Sequence, residues 1–150
     1  KQLFLIYESN LLKLKKEYNM KQKYDLVYRV RPDYVFHRPF LNSLNALEKI
    51  DVAENFLYTS SWPQDPKRDA GLDVGHKKRM NDHFAYGVSK VMDYYSSGFL
   101  NFSRAFADKI FYDPETILVY GLNKRNDIEI VLQDTSSVGS IIRLNPNQKI

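Results

Sequence analysis

Cysteine is absent from the 150 residues. This excludes a disulfide framework, thiolate metal sites and a Cys/His catalytic pair, and it points to no particular compartment. No apolar run approaches the roughly 18 to 20 residues that cross a bilayer. The run from Leu3 to Tyr7 is too short for the hydrophobic region of a signal peptide. Glycine is scarce, at six residues, and none belongs to a phosphate-cradling glycine-rich loop or a Gly-x-Ser-x-Gly elbow. The three histidines, His37, His76 and His83, are too scattered for a metal-binding spacing such as His-x-x-x-His. There is no arginine-rich tail, long lysine block, helix-turn-helix signal or aromatic RNA-binding strand motif. A formal net charge of +4 therefore favours an anionic partner, whether a nucleotide, an anionic glycan or a membrane surface, and a nucleic-acid reading rests on the charge alone.

Tyrosine and phenylalanine, by contrast, are abundant, with eleven and nine copies. The length fits one domain with a real core. Phe4, Tyr7, Leu11, Leu14 and Tyr18 recur at helical spacing, with Lys13, Lys15, Lys16 and Glu17 on the other face, which predicts an amphipathic helix over about Gln2 to Tyr18. A strand follows from Tyr24 to Val30, a short helix from Phe40 to Ile50, and a strand from Asn55 to Ser61. Residues 62–81 show no period and hold Pro63, Pro66, Gly71 and Gly75, so they read as a long surface loop. Val88, Val91, Met92, Tyr95, Phe99, Phe102 and Phe106 form one helical stripe, with Gly98 as its weak point. Asp113 is placed to cap a helix that has Pro114 at its first position and ends near Asn123. Ile128 to Leu132 and Ser140 to Leu144 read as the last strands. Alternating helices and strands make the expected fold α/β or α+β, the former taken here, with a small mixed sheet flanked by helices.

The chemistry concentrates in two places. In the strand ending Tyr28-Arg29-Val30-Arg31-Pro32-Asp33, alternation puts Leu26, Tyr28 and Val30 on one face and Arg29, Arg31 and Asp33 on the other. Pro32 has no amide donor, so regular pairing loosens there. This charged face is either a solvated internal salt bridge or, if helices cover it, a site whose guanidinium forks hold phosphate oxygens. The second place is Asn81-Asp82-His83-Phe84-Ala85-Tyr86-Gly87. It reads equally as helix capping by Asp82 or Ser89 and as a loop-end carboxylate, Asp82, poised as a general base with His83 beside it. Trp62 follows a strand, and its flat face is compatible with sugar stacking.

Together these segments resemble GT-A-like glycosyltransferases, the bacterial and viral relatives associated with lipopolysaccharide, capsule and surface-glycan synthesis. Tyr24-Asp25-Leu26-Val27-Tyr28-Arg29-Val30-Arg31-Pro32-Asp33 resembles their "Y-D-hydrophobic-hydrophobic-R-x-R-x-D" strand. Asn81 to Gly87, with Met92 and Tyr95, resembles "N-D-x-F-A-x-G…M…Y". Asp113-Pro114-Glu115 with Leu118 and Leu122 resembles the "P-E-x-x-L…L" helix. The order agrees over roughly Tyr24 to Gln133. The resemblance implies transfer of a sugar from a nucleotide-sugar donor to a glycan acceptor, in the cytoplasm or peripherally at a membrane. It implies Arg29, Arg31 and Asp33 on the donor diphosphate, Asp82 as the base, and Trp62, Asn81 and His83 near the acceptor or the loop. In the family a strand-end Asp-x-Asp binds Mn2+ or Mg2+. Here Arg31 replaces the first carboxylate, leaving Asp33 as the one metal candidate and Arg31 able to neutralise the diphosphate directly. The family's nucleotide-binding units precede this strand, so the chain is expected to be the C-terminal portion of such an enzyme. The alternative is a non-catalytic module that holds an anionic glycan or nucleotide.

Overall fold

The computed structural model describes residues 1–40, 42, 53–61, 80–110 and 113–133, and the backbone of 139–141. Its main sheet has four strands in the order β1-β4-β3-β5: β1 is Val27–Val30, β3 Phe56–Ser61, β4 Met80–Gly87 and β5 Glu129–Gln133. β4 runs antiparallel to both β1 and β3, and β5 runs parallel to β3, so the sheet is mixed. A second pair, β2 (Tyr34–Phe36) and β6 (Gly139–Ile141), is antiparallel. The helices are α1 (Gln2–Met20), α2 (Ser89–Ser96), α3 (Phe102–Ala107) and α4 (Pro114–Asn123), with a 3-10 segment, Ser97–Asn101, between α2 and α3.

The sheet is covered on both faces. Leu57, Ala85, Val91, Met92, Ile117 and Leu118 belong to the helix-side core, while Tyr34, Phe40, Phe84 and Tyr86 form an aromatic cluster on the other side. Consecutive residues Phe84, Ala85 and Tyr86 thus alternate between the two layers, as a strand requires. Tyr34, Phe36, Phe40, Tyr58, Phe84 and Tyr86 make up the aromatic layer. There Tyr58 stacks on Tyr86 at 4.6 Å and Phe36 meets Phe84 edge-on at 5.0 Å.

The expected strands at Asn55–Ser61 and Ile128–Leu132 form within a residue of their expected bounds, and α4 starts as read. Asp113 Oδ1 accepts from Thr116 N at 2.7 Å, and Pro114 opens the helix. Three expectations are corrected. Residues 62–81 are not all loop, because Met80 and Asn81 already belong to β4. Residues 62–79, with Trp62, lie outside the described residues, as does most of the expected Phe40–Ile50 helix. The 88–106 stripe is not one helix. It breaks at Ser97–Asn101, and Phe102 and Phe106 are exposed. Gly98 lies within the break, where α4 packs close: a Cβ there would stand 2.6 Å from Leu118 Cδ2. Gly98→Ala should therefore lower thermal stability by about 1–3 kcal/mol through overpacking. An unchanged melting temperature would rule out that tight crossing.

The third correction concerns α1. The face turned to the core carries Leu3, Ile6 and Glu17, while Phe4, Leu11 and Tyr18 of the expected apolar stripe are exposed. Lys13 and Glu17, expected outside, point inward and pair at 3.0 Å. Glu17 also accepts from Tyr24 N and Lys23 Nζ, each at 3.0 Å, and from Ser89 Oγ at 2.5 Å. Burial opposes the charge of Glu17, but these bonds from Ser89, Tyr24, Lys23 and Lys13 outweigh it and hold the carboxyl down at about 2. Ser89 thus ties α2 to α1. Neither it nor Asp82 caps α2, whose N-cap is Val88 with no side-chain bond.

Candidate functional site

β1 is one of the two edge strands of the main sheet among the described residues, and its charges lie on the helix-covered side. Val27 packs on the helix-side core, whereas the Tyr28 ring lies 5.4 Å from Tyr86 in the aromatic layer. Arg29 shares the side of Val27 and is half-buried, while Tyr28 and Val30 remain 40% and 38% exposed. The Nη1 atom of Arg29 is buried without a hydrogen-bond partner. A buried cationic donor left unpaired is costly unless a ligand or water completes it.

The strand ends at Val30, just ahead of Pro32. Arg31 N still donates to His83 O at 2.9 Å, and the chain then turns. The turn folds Asp33 back onto Arg31 through two parallel bonds, Nε to Oδ1 at 2.9 Å and Nη2 to Oδ2 at 2.7 Å. That fork raises the affinity of Arg31 for its proton and holds the Asp33 carboxyl below the usual range.

Asp82 reaches the same place through an irregularity in β4. Between the pairs Thr59↔Ala85 and Ser61↔Met80, β3 advances two residues and β4 advances five. The extra residues bulge, and a bulge re-aims the side chains it carries. Asn81 Oδ1 accepts from His83 N at 2.9 Å, and the Thr59 hydroxyl bridges Phe84 O at 2.8 Å and Asn81 O at 3.0 Å. Both contacts satisfy backbone groups that the broken ladder leaves over. Asp82 emerges on the helix side with no exposed surface. Its Oδ2 accepts from the side-chain amide of Gln2 on α1. Its Oδ1 lies 3.7 Å from Arg31 Nη1 and 3.6 Å from His83 Nε2. Burial raises the pKa of Asp82, and the nearby Arg29 and Arg31 only partly offset it.

Arg29, Arg31 and Asp33 open onto a cleft of about 700 Å³ whose opposite wall is α1, through Gln2, Leu5 and Ile6. Asp82 lies behind Arg31 rather than on the cleft wall. Asn81 and His83 are buried within β4. The structure therefore brings Arg29, Arg31, Asp33 and Asp82 together, and sets Asn81 and His83 beneath them as the frame of the bulge.

Two participants escape a reading of the sequence. Gln2 is one, because an amide in the first turn of a helix carries no signal of a contact with a distant strand. Glu115 is the other. It sits next to Pro114, which lines the cleft, and burial together with the neighbouring carboxylates Asp82 and Asp113 pushes its pKa up to about 7. Its position behind a helix-starting proline was visible, but its proximity to Asp82 was not. Among the described residues no group of three or more His, Cys, Asp or Glu is placed to hold a metal ion. Nor is any described helix long and apolar enough to cross a membrane. No protein-family model, curated protein or solved structure matches this chain.

Proposed function

We propose that the cleft between α1 and the end of β1 binds the diphosphate of a nucleotide-sugar, and that the chain is the acceptor-side part of a GT-A-like glycosyltransferase acting on a surface polysaccharide or glycoprotein glycan. The observation that carries this is the pairing of two arginines at one wall. Arg29 keeps a buried guanidinium nitrogen without a partner, and Arg31 is aligned by Asp33. Positive charge fixed in place is what a departing diphosphate needs, because charge accumulates on its oxygens as the glycosidic bond breaks. The local motifs described above add the sugar-transfer chemistry.

Asp33 does not fit a cation site in this arrangement, since both its oxygens engage Arg31 and a guanidinium stands where a second carboxylate would be needed. The diphosphate is therefore assigned to the arginines and not to Mn2+ or Mg2+ held by Asp33. Asp82 is the candidate base. Its raised pKa suits proton abstraction from an acceptor hydroxyl, and displacement of the Gln2 amide would free Oδ2 to take that proton.

The full burial of Asp82 favours a second reading, a non-catalytic module that binds an anionic glycan or nucleotide in the same cleft. A transfer assay with labelled nucleotide-sugars separates the two. Asp82→Asn should abolish turnover while leaving donor affinity nearly intact. Equal turnover by the variant removes Asp82 as base, and binding without turnover by the unsubstituted chain supports the module.

A further inference from the structure

The outward face of α1 is unusually apolar for a helix whose inward face is charged. Phe4, Leu5, Leu11 and Leu12 are 43%, 56%, 39% and 71% exposed. At 3.6 residues per turn, Phe4 with Leu11 and Leu5 with Leu12 form two rows over about 12 Å of helix, with Glu8 and Lys15 on the strip between them and Phe4 also meeting Phe99 edge-on at 5.3 Å. Exposed Lys15, Lys16 and Lys21 follow toward the helix end, and Glu8 is the one exposed carboxylate among these rows. Such a row of large apolar side chains needs a cover.

We propose that this face of α1 docks on an anionic lipid surface. Charge chooses the occupant. Lys15 and Lys16 flank the row of Leu12 on either side, where their long stems can lie along the acyl boundary and their ammonium groups reach lipid phosphates. The helix need not refold to bind. Its inner side is pinned by Glu17 to Lys13, Lys23 and Ser89, and Asn10 bonds Asp93 at 3.1 Å. Leu5 also forms a lip of the arginine cleft, so docking sets the cleft mouth at the headgroup plane. The inference is independent of what the cleft binds.

Co-sedimentation with vesicles tests it, using phosphatidylcholine alone and an equal mixture of phosphatidylcholine and phosphatidylglycerol. The chain should bind the anionic vesicles and not the neutral ones, and rising salt should release it. Leu11→Ser with Leu12→Ser should weaken binding about tenfold or more, with the circular dichroism spectrum unchanged. Lys15→Glu with Lys16→Glu should weaken it as well. Absence from the anionic pellet overturns the proposal, as does equal binding by the double-serine variant. A concentration-dependent dimer dispersed by the serine changes, without vesicle binding, would assign the face to a second copy of the chain and also overturn it.

Discussion

Arg31→Ala is expected to weaken binding of a nucleoside diphosphate about a hundredfold, the scale of one or two charge-assisted hydrogen bonds lost from a partly dehydrated site. Arg31 has two roles in this structure. Toward the cleft it supplies a guanidinium aligned by Asp33, and toward the interior it stands 3.7 Å from the buried carboxylate of Asp82. Alanine removes both, so Asp82 should become still harder to ionise and the melting temperature should fall. Arg31→Lys separates the roles. It keeps a charge near Asp82 but loses the planar fork, so stability should recover more fully than affinity. If both variants bind a nucleoside diphosphate as the unsubstituted chain does, the cationic wall is structural only.

The second large effect lies away from the cleft, at Glu17. Glu17→Ala takes from Lys13 one of its two carboxylate partners, leaving Asp93 at 2.9 Å, and removes the acceptor of the Tyr24 amide and of the Ser89 hydroxyl. A loss of roughly 3 kcal/mol or more is expected from the four bonds that the Glu17 carboxylate accepts, from Lys13, Lys23, Tyr24 and Ser89. The same cluster sets an acid limb. The folded pKa of Glu17, about 2, lies below its ordinary 4.5. Its contribution is therefore fully present above the higher value and is lost as pH falls toward the lower one. That difference corresponds to roughly 3 kcal/mol. Glu115 acts in the opposite sense. With a folded pKa of about 7 against 4.5, it costs stability as pH rises through that interval. Denaturant titrations across pH should show a maximum near the ordinary carboxylate range. Glu17→Gln should flatten the acid side selectively, and an unchanged acid limb would exclude Glu17 as its source.

What could be read from the sequence follows from which interactions are local. The Asp113-Pro114 helix start and the Phe56 strand depend on neighbours in sequence, and both were visible. The alternation that sets Arg29 opposite Tyr28 was also visible, because period two needs no knowledge of the partner strand. β4 was hidden for the converse reason. All eight of its residues are buried, including Asn81, Asp82 and His83, so no hydrophobic alternation marks it. Its polar residues are tolerated because the bulge supplies bonds from Thr59 and within Asn81-Asp82-His83. α1 misled by its own pattern. Its apolar stripe is real but only partly turned inward: Phe4 and Tyr7 meet Phe99, whereas Leu11 and Tyr18 are exposed, because Glu17 and Lys13 find partners on α2 and at Tyr24 that only the fold brings near. The close packing at Gly98 likewise involves Leu118, a residue of another helix.

The central claim is that two arginines at the end of β1 hold a sugar-linked diphosphate. Isothermal titration tests it most directly, with a panel of nucleoside diphosphates and their sugars against the unsubstituted chain and Arg29→Ala, with and without manganese. At least one nucleotide-sugar should bind saturably without manganese, and Arg29→Ala should weaken it at least about tenfold. No saturable heat from any member of the panel, or binding undiminished by loss of Arg29, would contradict the account.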